Sequence, residues 1–99
     1  MTYVEQKRLR VVAFHEGTQW VAQVLEHDLA CQASTLSDLL HVISRITDAY
    51  MDMCKLKEKD PWEQMLPAPQ EYVDMWEKAI YLRTWEQDLP KPVISIRVL

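Results

Sequence analysis

Gly17 is the only glycine in the chain, and asparagine is absent altogether. A tight turn needs a residue that accepts positive φ at little steric cost, and glycine is the one that does so most readily. The chain therefore has one position suited to a tight hairpin turn, and the residues around it are patterned to use it. Arg8–Phe14 (RLRVVAF) and Trp20–Leu25 (WVAQVL) are β-branched, apolar runs on either side of the polar stretch from His15 to Gln19. That pattern predicts a β-hairpin with a short loop. Alternation puts Leu9, Val11 and Ala13 on one face of the first strand and Arg10, Val12 and Phe14 on the other. In the second strand Trp20, Ala22 and Val24 share a face, opposite Val21, Gln23 and Leu25. A short third strand is expected over Ala30–Ala33, after the acidic turn Glu26-His27-Asp28.

The period then changes. Thr35 stands three residues before Asp38, a capping-box arrangement at a helix start. Leu36, Leu39, Leu40, Ile43, Ile46, Tyr50 and Met53 follow at the spacing of one helical face, which predicts a helix from about Leu36 to about Cys54. Lys55–Pro69 carries a charge run and then Pro61, Pro67 and Pro69, and reads as a loop or insert. A second helix is expected from Pro69, since proline costs little in a first turn. Its stripe is Tyr72, Val73, Trp76, Ala79, Ile80 and Arg83, and Pro90 and Pro92 end it. Val93–Leu99 is a closing strand with Ile94, Ile96 and Val98 on one face. The whole 1–99 chain is one α+β domain, with the proline-rich insert and the extra helix at about 55–88.

Charge and cysteine usage narrow the function classes. Residues 1–50 hold four basic and six acidic groups, and residues 51–99 hold seven and nine, for a net charge of −4. The two clusters, Lys7-Arg8-Arg10 and Lys55–Asp60, are read as solvated segments, so direct nucleic-acid binding is not expected. One glycine also excludes the glycine-rich loops that cradle nucleotide phosphates. Met1–Arg10 lacks the apolar core of a secretory leader, and no apolar run reaches the ~18 residues of a membrane span. Cys31 and Cys54 show no CxxC spacing, so the expectation is reduced thiols in a cytoplasmic protein, with no membrane among its partners.

The run WVAQVLEHDLACQAST followed by the capped helix resembles the HicB-like family of antitoxin-type domains. The matching positions are Trp20, Ala22, Val24, Asp28, Leu29, Cys31, Thr35, Leu36 and Asp38. The resemblance covers about Arg8 to Tyr50, while residues 67–72 (PAPQEY) resemble an elaboration of a stand-alone bacterial branch. It implies a partial ribonuclease-H-like fold: a three-stranded antiparallel meander, a helix, and a closing strand parallel to strand 1, in the sheet order 3-2-1-4. It also implies a small basic ribonuclease toxin as partner. Fuller members carry a C-terminal DNA-binding segment, which is not expected here because the sequence ends with the closing strand.

Three sets of candidate residues follow. A two-metal nuclease needs carboxylates converging on ions roughly 3.5–4 Å apart. The first strand has none at its middle, and Glu16, Glu26 and Asp28 fall in turns, so no catalytic residues are assigned. His27 and Cys31, with His15, offer only one weak ligand pair, so no metal and no cofactor is expected. The third set is apolar. Both faces of the hairpin are apolar, and both must be covered, because a large exposed patch is an association or aggregation surface. The first helix can cover one face; the second helix or another subunit must cover the other. The expectation is a non-catalytic protein–protein interaction module that forms a homodimer, with Val12, Phe14, Val21, Leu25, Trp62 and Trp85 as partner-interface residues. The alternatives are an orphan self-associating domain and a degenerate ribonuclease-H-like hydrolase.

Overall fold

A computed structural model describes residues 7–60, 66–87 and 91–99. Along the chain run strands β1 (Arg8–Glu16), β2 (Gln19–Val24) and β3 (Ala30–Ala33), then helices α1 (Leu36–Leu56) and α2 (Gln70–Lys78), then strands β4 (Ile80–Trp85) and β5 (Val93–Val98). All five strands form one sheet in the order β3-β2-β1-β5-β4. The protein is a mixed α+β fold. β1 pairs antiparallel with β2 and β2 with β3, while the closing strand β5 lies parallel to β1 with Val11 opposite Ile96. The expected order 3-2-1-4 is corrected by a fifth strand: β5 sits beside β1 but is not an edge, because β4 adds antiparallel to its outer side.

The hairpin turns where the sequence places it. Gly17 has φ +64°, and Glu16 and Gln19 face each other across the turn. Open space surrounds the position a Cβ would take at Gly17, so Gly17→Ala tests backbone strain alone. It is expected to lower stability by about 1–2 kcal/mol in urea denaturation. A second left-handed residue is Glu58, φ 55°. It follows α1 in a Schellman turn: the Lys59 N–H donates to the Cys54 carbonyl and the Glu58 N–H to the Lys55 carbonyl. This position usually holds glycine. Glu58→Gly is therefore expected to raise stability by up to about 1 kcal/mol, the unfolded-chain entropy of glycine offsetting part of the gain.

Helix α1 begins at Thr35, whose Oγ1 accepts from the Asp38 N–H at 3.1 Å. It lies over β3 and β2. Its buried residues are Leu39, Ile43, Thr47, Tyr50 and Cys54. The expected stripe is thus corrected in its second half, since Met53 is exposed and Ile46 only half-buried. Thr47 tolerates burial because its hydroxyl serves the Ile43 and Ser44 carbonyls, both at 3.0 Å. Under α1 the core joins Leu39 and Ile43 to Leu9, Val11, Ala13, Ala22, Val24, Ile94 and Ile96.

The second expected helix is split. Helix α2 ends at Lys78, and its C-cap residue Ala79 is already extended, φ −81° and ψ 158°. Ile80-Tyr-Leu-Arg-Thr-Trp then pairs with β5, and the Thr84 and Ser95 hydroxyls meet at 3.0 Å. β-branched and aromatic residues favour a half-covered pleated surface over another helical turn. Trp85 accordingly lies on a strand, not at a helix end.

Candidate interaction surface

The face of the sheet opposite α1 carries Val12 and Phe14 from β1, and Val21 and Gln23 from β2. Helix α2 packs on this face over β1. Its approach is fixed at the β2–β3 turn, where the Ala68 N–H donates to the Leu25 carbonyl and the Asp28 N–H to the Leu66 carbonyl, each at 2.9 Å. Val12, Leu25, Ala68 and Trp76 are buried together, with Phe14, Tyr72, Met75 and Ala79 packed around them. The Phe14 and Tyr72 rings stack with centroids 6.1 Å apart. Arg97, on β5, lays its guanidinium 4.4 Å over the Trp76 ring and donates from Nη1 to the Trp76 carbonyl at 3.1 Å. A cation at the C-terminal end of a helix satisfies a free carbonyl and complements the dipole.

The six expected interface residues therefore separate. Val12 and Leu25 are fully buried beneath the chain's own α2, Phe14 is half-buried at the margin of that cluster, and Val21 is half-buried on β2. Trp85 lies half-buried on the α1 side of β4, with the Arg83 guanidinium 4.6 Å over its ring. Trp62 lies outside the described residues. What the sequence reading missed is the apolar edge one strand further out. On β4, Ile80 is 79% exposed, Tyr81 61% and Leu82 39%, and Leu99 beyond β5 is 54% exposed. The β-branched and aromatic content of Ile80–Trp85 was the available signal.

The carboxylates are placed elsewhere. Both oxygens of Glu26 are engaged by Arg10, one by its backbone N–H and one by Nε, each at 2.6 Å. Asp28 accepts from the Gln23 side-chain amide at 3.0 Å. Glu16 is six residues along β1 from Arg10, roughly 20 Å at strand rise. The three do not converge. Among the described residues, no group of three or more His, Cys, Asp or Glu stands where it could hold a metal ion. Cys31 and Cys54 are both free thiols, and burial raises the pKa of Cys31. His15 packs against Trp20 across the hairpin, ring centroids 3.9 Å apart and planes inclined at 51°. Among the described residues, no helix is long and apolar enough to cross a membrane.

His27 and Tyr50 meet beneath α1 with ring centroids 5.2 Å apart. Burial pushes Tyr50 up to about 12, helped by its hydrogen bond to Cys54 and the charges of Cys54 and Asp60. Burial lowers the pKa of His27 below its ordinary 6.5, and the Glu26 carboxylate only partly opposes this. In the unfolded chain His27 takes up its proton near pH 6.5, whereas in the folded chain it does so only at lower pH. Stability is therefore greatest above pH 6.5 and falls as pH drops toward the folded-state value, by at most about 1.4 kcal/mol per pH unit. Urea denaturation against pH is expected to show this loss, and His27→Gln is expected to remove it.

The described residues thus form a five-stranded mixed sheet with helices on both faces, an apolar outer strand and dispersed carboxylates. Comparison with known proteins finds no matching family model, no matching curated protein and no matching solved structure.

Proposed function

We propose that this chain is a non-catalytic protein–protein interaction module of the HicB-like antitoxin type, with a small basic ribonuclease as its partner and a second copy of itself as a further one. The observation that carries the interaction reading is the β4 edge, where Ile80, Tyr81 and Leu82 are exposed on the outermost strand. Apolar residues gathered on an open strand mark contact with another chain. The antitoxin reading is supported by Trp20, Ala22, Val24, Asp28, Leu29, Cys31, Thr35, Leu36 and Asp38, which match the family pattern. The meander, the capped helix and the parallel closing strand agree with that family's fold. A cytoplasmic setting and reduced thiols belong to the same reading.

Against a hydrolase stands the placement of Glu16, Glu26 and Asp28, two of which are held by Arg10 and Gln23. The test is co-expression of the tagged chain with the product of a short basic reading frame adjacent to its own. Recovery of a stable complex of the two supports the proposal. Recovery of this chain alone, repeated with the partner demonstrably expressed, would assign it instead to the orphan self-associating class.

A further inference from the structure

We infer that the β4 edge docks on the β4 edge of a second copy of this chain, antiparallel and centred on Thr84, so that two five-stranded sheets become one. This deepens the self-association part of the proposed function by naming its surface and its register.

The two ends of the sheet differ. At one end β3 is four residues long, and its Cys31 and Ala33 pack against the core beneath α1. At the other end, among the described residues, β4 is bonded only on its β5 side, which leaves its outward N–H and C=O groups to another strand. Natural edges are usually blunted by lysine and other charges, proline, a β-bulge or short length. Ile80–Trp85 has six residues and contains neither lysine nor proline. It does contain a register shift between Tyr81 and Arg83, with Leu82 as the extra residue. The regular stretch left for pairing is Arg83–Trp85.

Charge and symmetry then select the occupant and the register. Two identical antiparallel strands related by a two-fold axis normal to the sheet keep like faces together, so a residue at the centre faces its own copy. Centring on Arg83 would set two guanidinium groups directly opposite each other, which is unfavourable. Centring on Thr84 instead sets each Arg83 opposite the Trp85 of the second copy. Arg83 and Trp85 pair with Ile96 and Ile94 and so share the α1 face. Arg83 already lies over its own Trp85 at 4.6 Å, so the same cation–π attraction extends across the pair, twice by symmetry. At the centre two threonines face each other, a favourable cross-strand pair. Strand β4 is thus complementary to itself.

Light scattering of the full chain across the micromolar range is expected to give twice the 11.7 kDa chain mass. Thr84→Lys sets two ammonium groups directly opposite each other at the two-fold axis without removing core, and is expected to return the single-chain mass while the thermal melt stays cooperative. Thr84→Cys is expected to cross-link the dimer under mild oxidation, since residues opposed across antiparallel strands stand about 4.5–5.5 Å apart at Cα, within disulfide range. The disulfide is identified by peptide mass. A single-chain mass at every concentration would overturn the inference, as would a dimer that survives Thr84→Lys or one in which the Thr84→Cys thiols do not link. An edge that takes up an added strand peptide while the chain stays monomeric also counts against it. A monomeric chain that still binds the neighbouring ribonuclease would leave the antitoxin reading standing, so the two failures are distinct.

Discussion

Trp76→Ala is expected to lower the stability of the chain by about 3–5 kcal/mol, the usual range for removing a buried large aromatic. Small domains hold only about 5–15 kcal/mol in total, so this one change removes a large part of the margin. Three losses combine at the position. The indole fills the space between α2 and the buried Val12, Leu25 and Ala68. It also provides the ring on which Arg97 rests, and that guanidinium in turn holds the last turn of α2 through the Trp76 carbonyl. With the indole gone, the Val12 face of the sheet opens to water. A lower urea midpoint together with new binding of a hydrophobic dye under native conditions is the expected pair of readouts. Trp76→Phe keeps an aromatic in place and is expected to recover most of the loss. A Trp76→Ala variant with an unchanged midpoint would mean that α2 does not cover this face.

Ile43→Ala is the second large effect, expected at about 2–5 kcal/mol because Ile43 is fully buried between α1 and the β1–β2–β5 core. The informative comparison is Met53→Ala on the same helix. Met53 belongs to the apolar stripe that the sequence suggests, yet it is exposed, and its replacement is expected to change stability by less than about 0.5 kcal/mol. Equal losses at Ile43 and Met53 would mean that α1 packs on the face read from the sequence and not on the face carrying Thr47 and Cys54.

Those positions also show what the sequence discloses and what it withholds. The hairpin, the Thr35 cap and the closing strand are legible because each rests on local chemistry: a glycine at positive φ, a hydroxyl facing a free N–H, and strict alternation. The second half of α1 is misread because Thr47 counts as polar in any stripe. Its hydroxyl bonds back to the helix carbonyls, which hides it from the solvent. Strand β4 is misread for a different reason. Ile80 and Arg83 are three residues apart, the spacing of neighbours on a helix face. In a regular strand that spacing would put them on opposite faces, but the extra residue at Leu82 brings both to the α1 side, opposite Val98 and Ile96. A bulge in a strand thus imitates the period of a helix. Of the expected interface, Val12 and Leu25 are apolar because α2 needs them. Within the chain α2 covers Val12 and Leu25, while Ile80, Tyr81 and Leu82 are exposed one strand further out.

The proposed association is tested most directly by titrating the purified chain into the small basic ribonuclease proposed as its partner and following RNA cleavage. The account predicts stoichiometric loss of cleavage as the chain is added, with no hydrolysis of RNA or of an RNA–DNA hybrid by the chain alone in the presence of divalent metal. Undiminished cleavage at a molar excess of the chain, or metal-dependent hydrolysis by the chain itself, would contradict it.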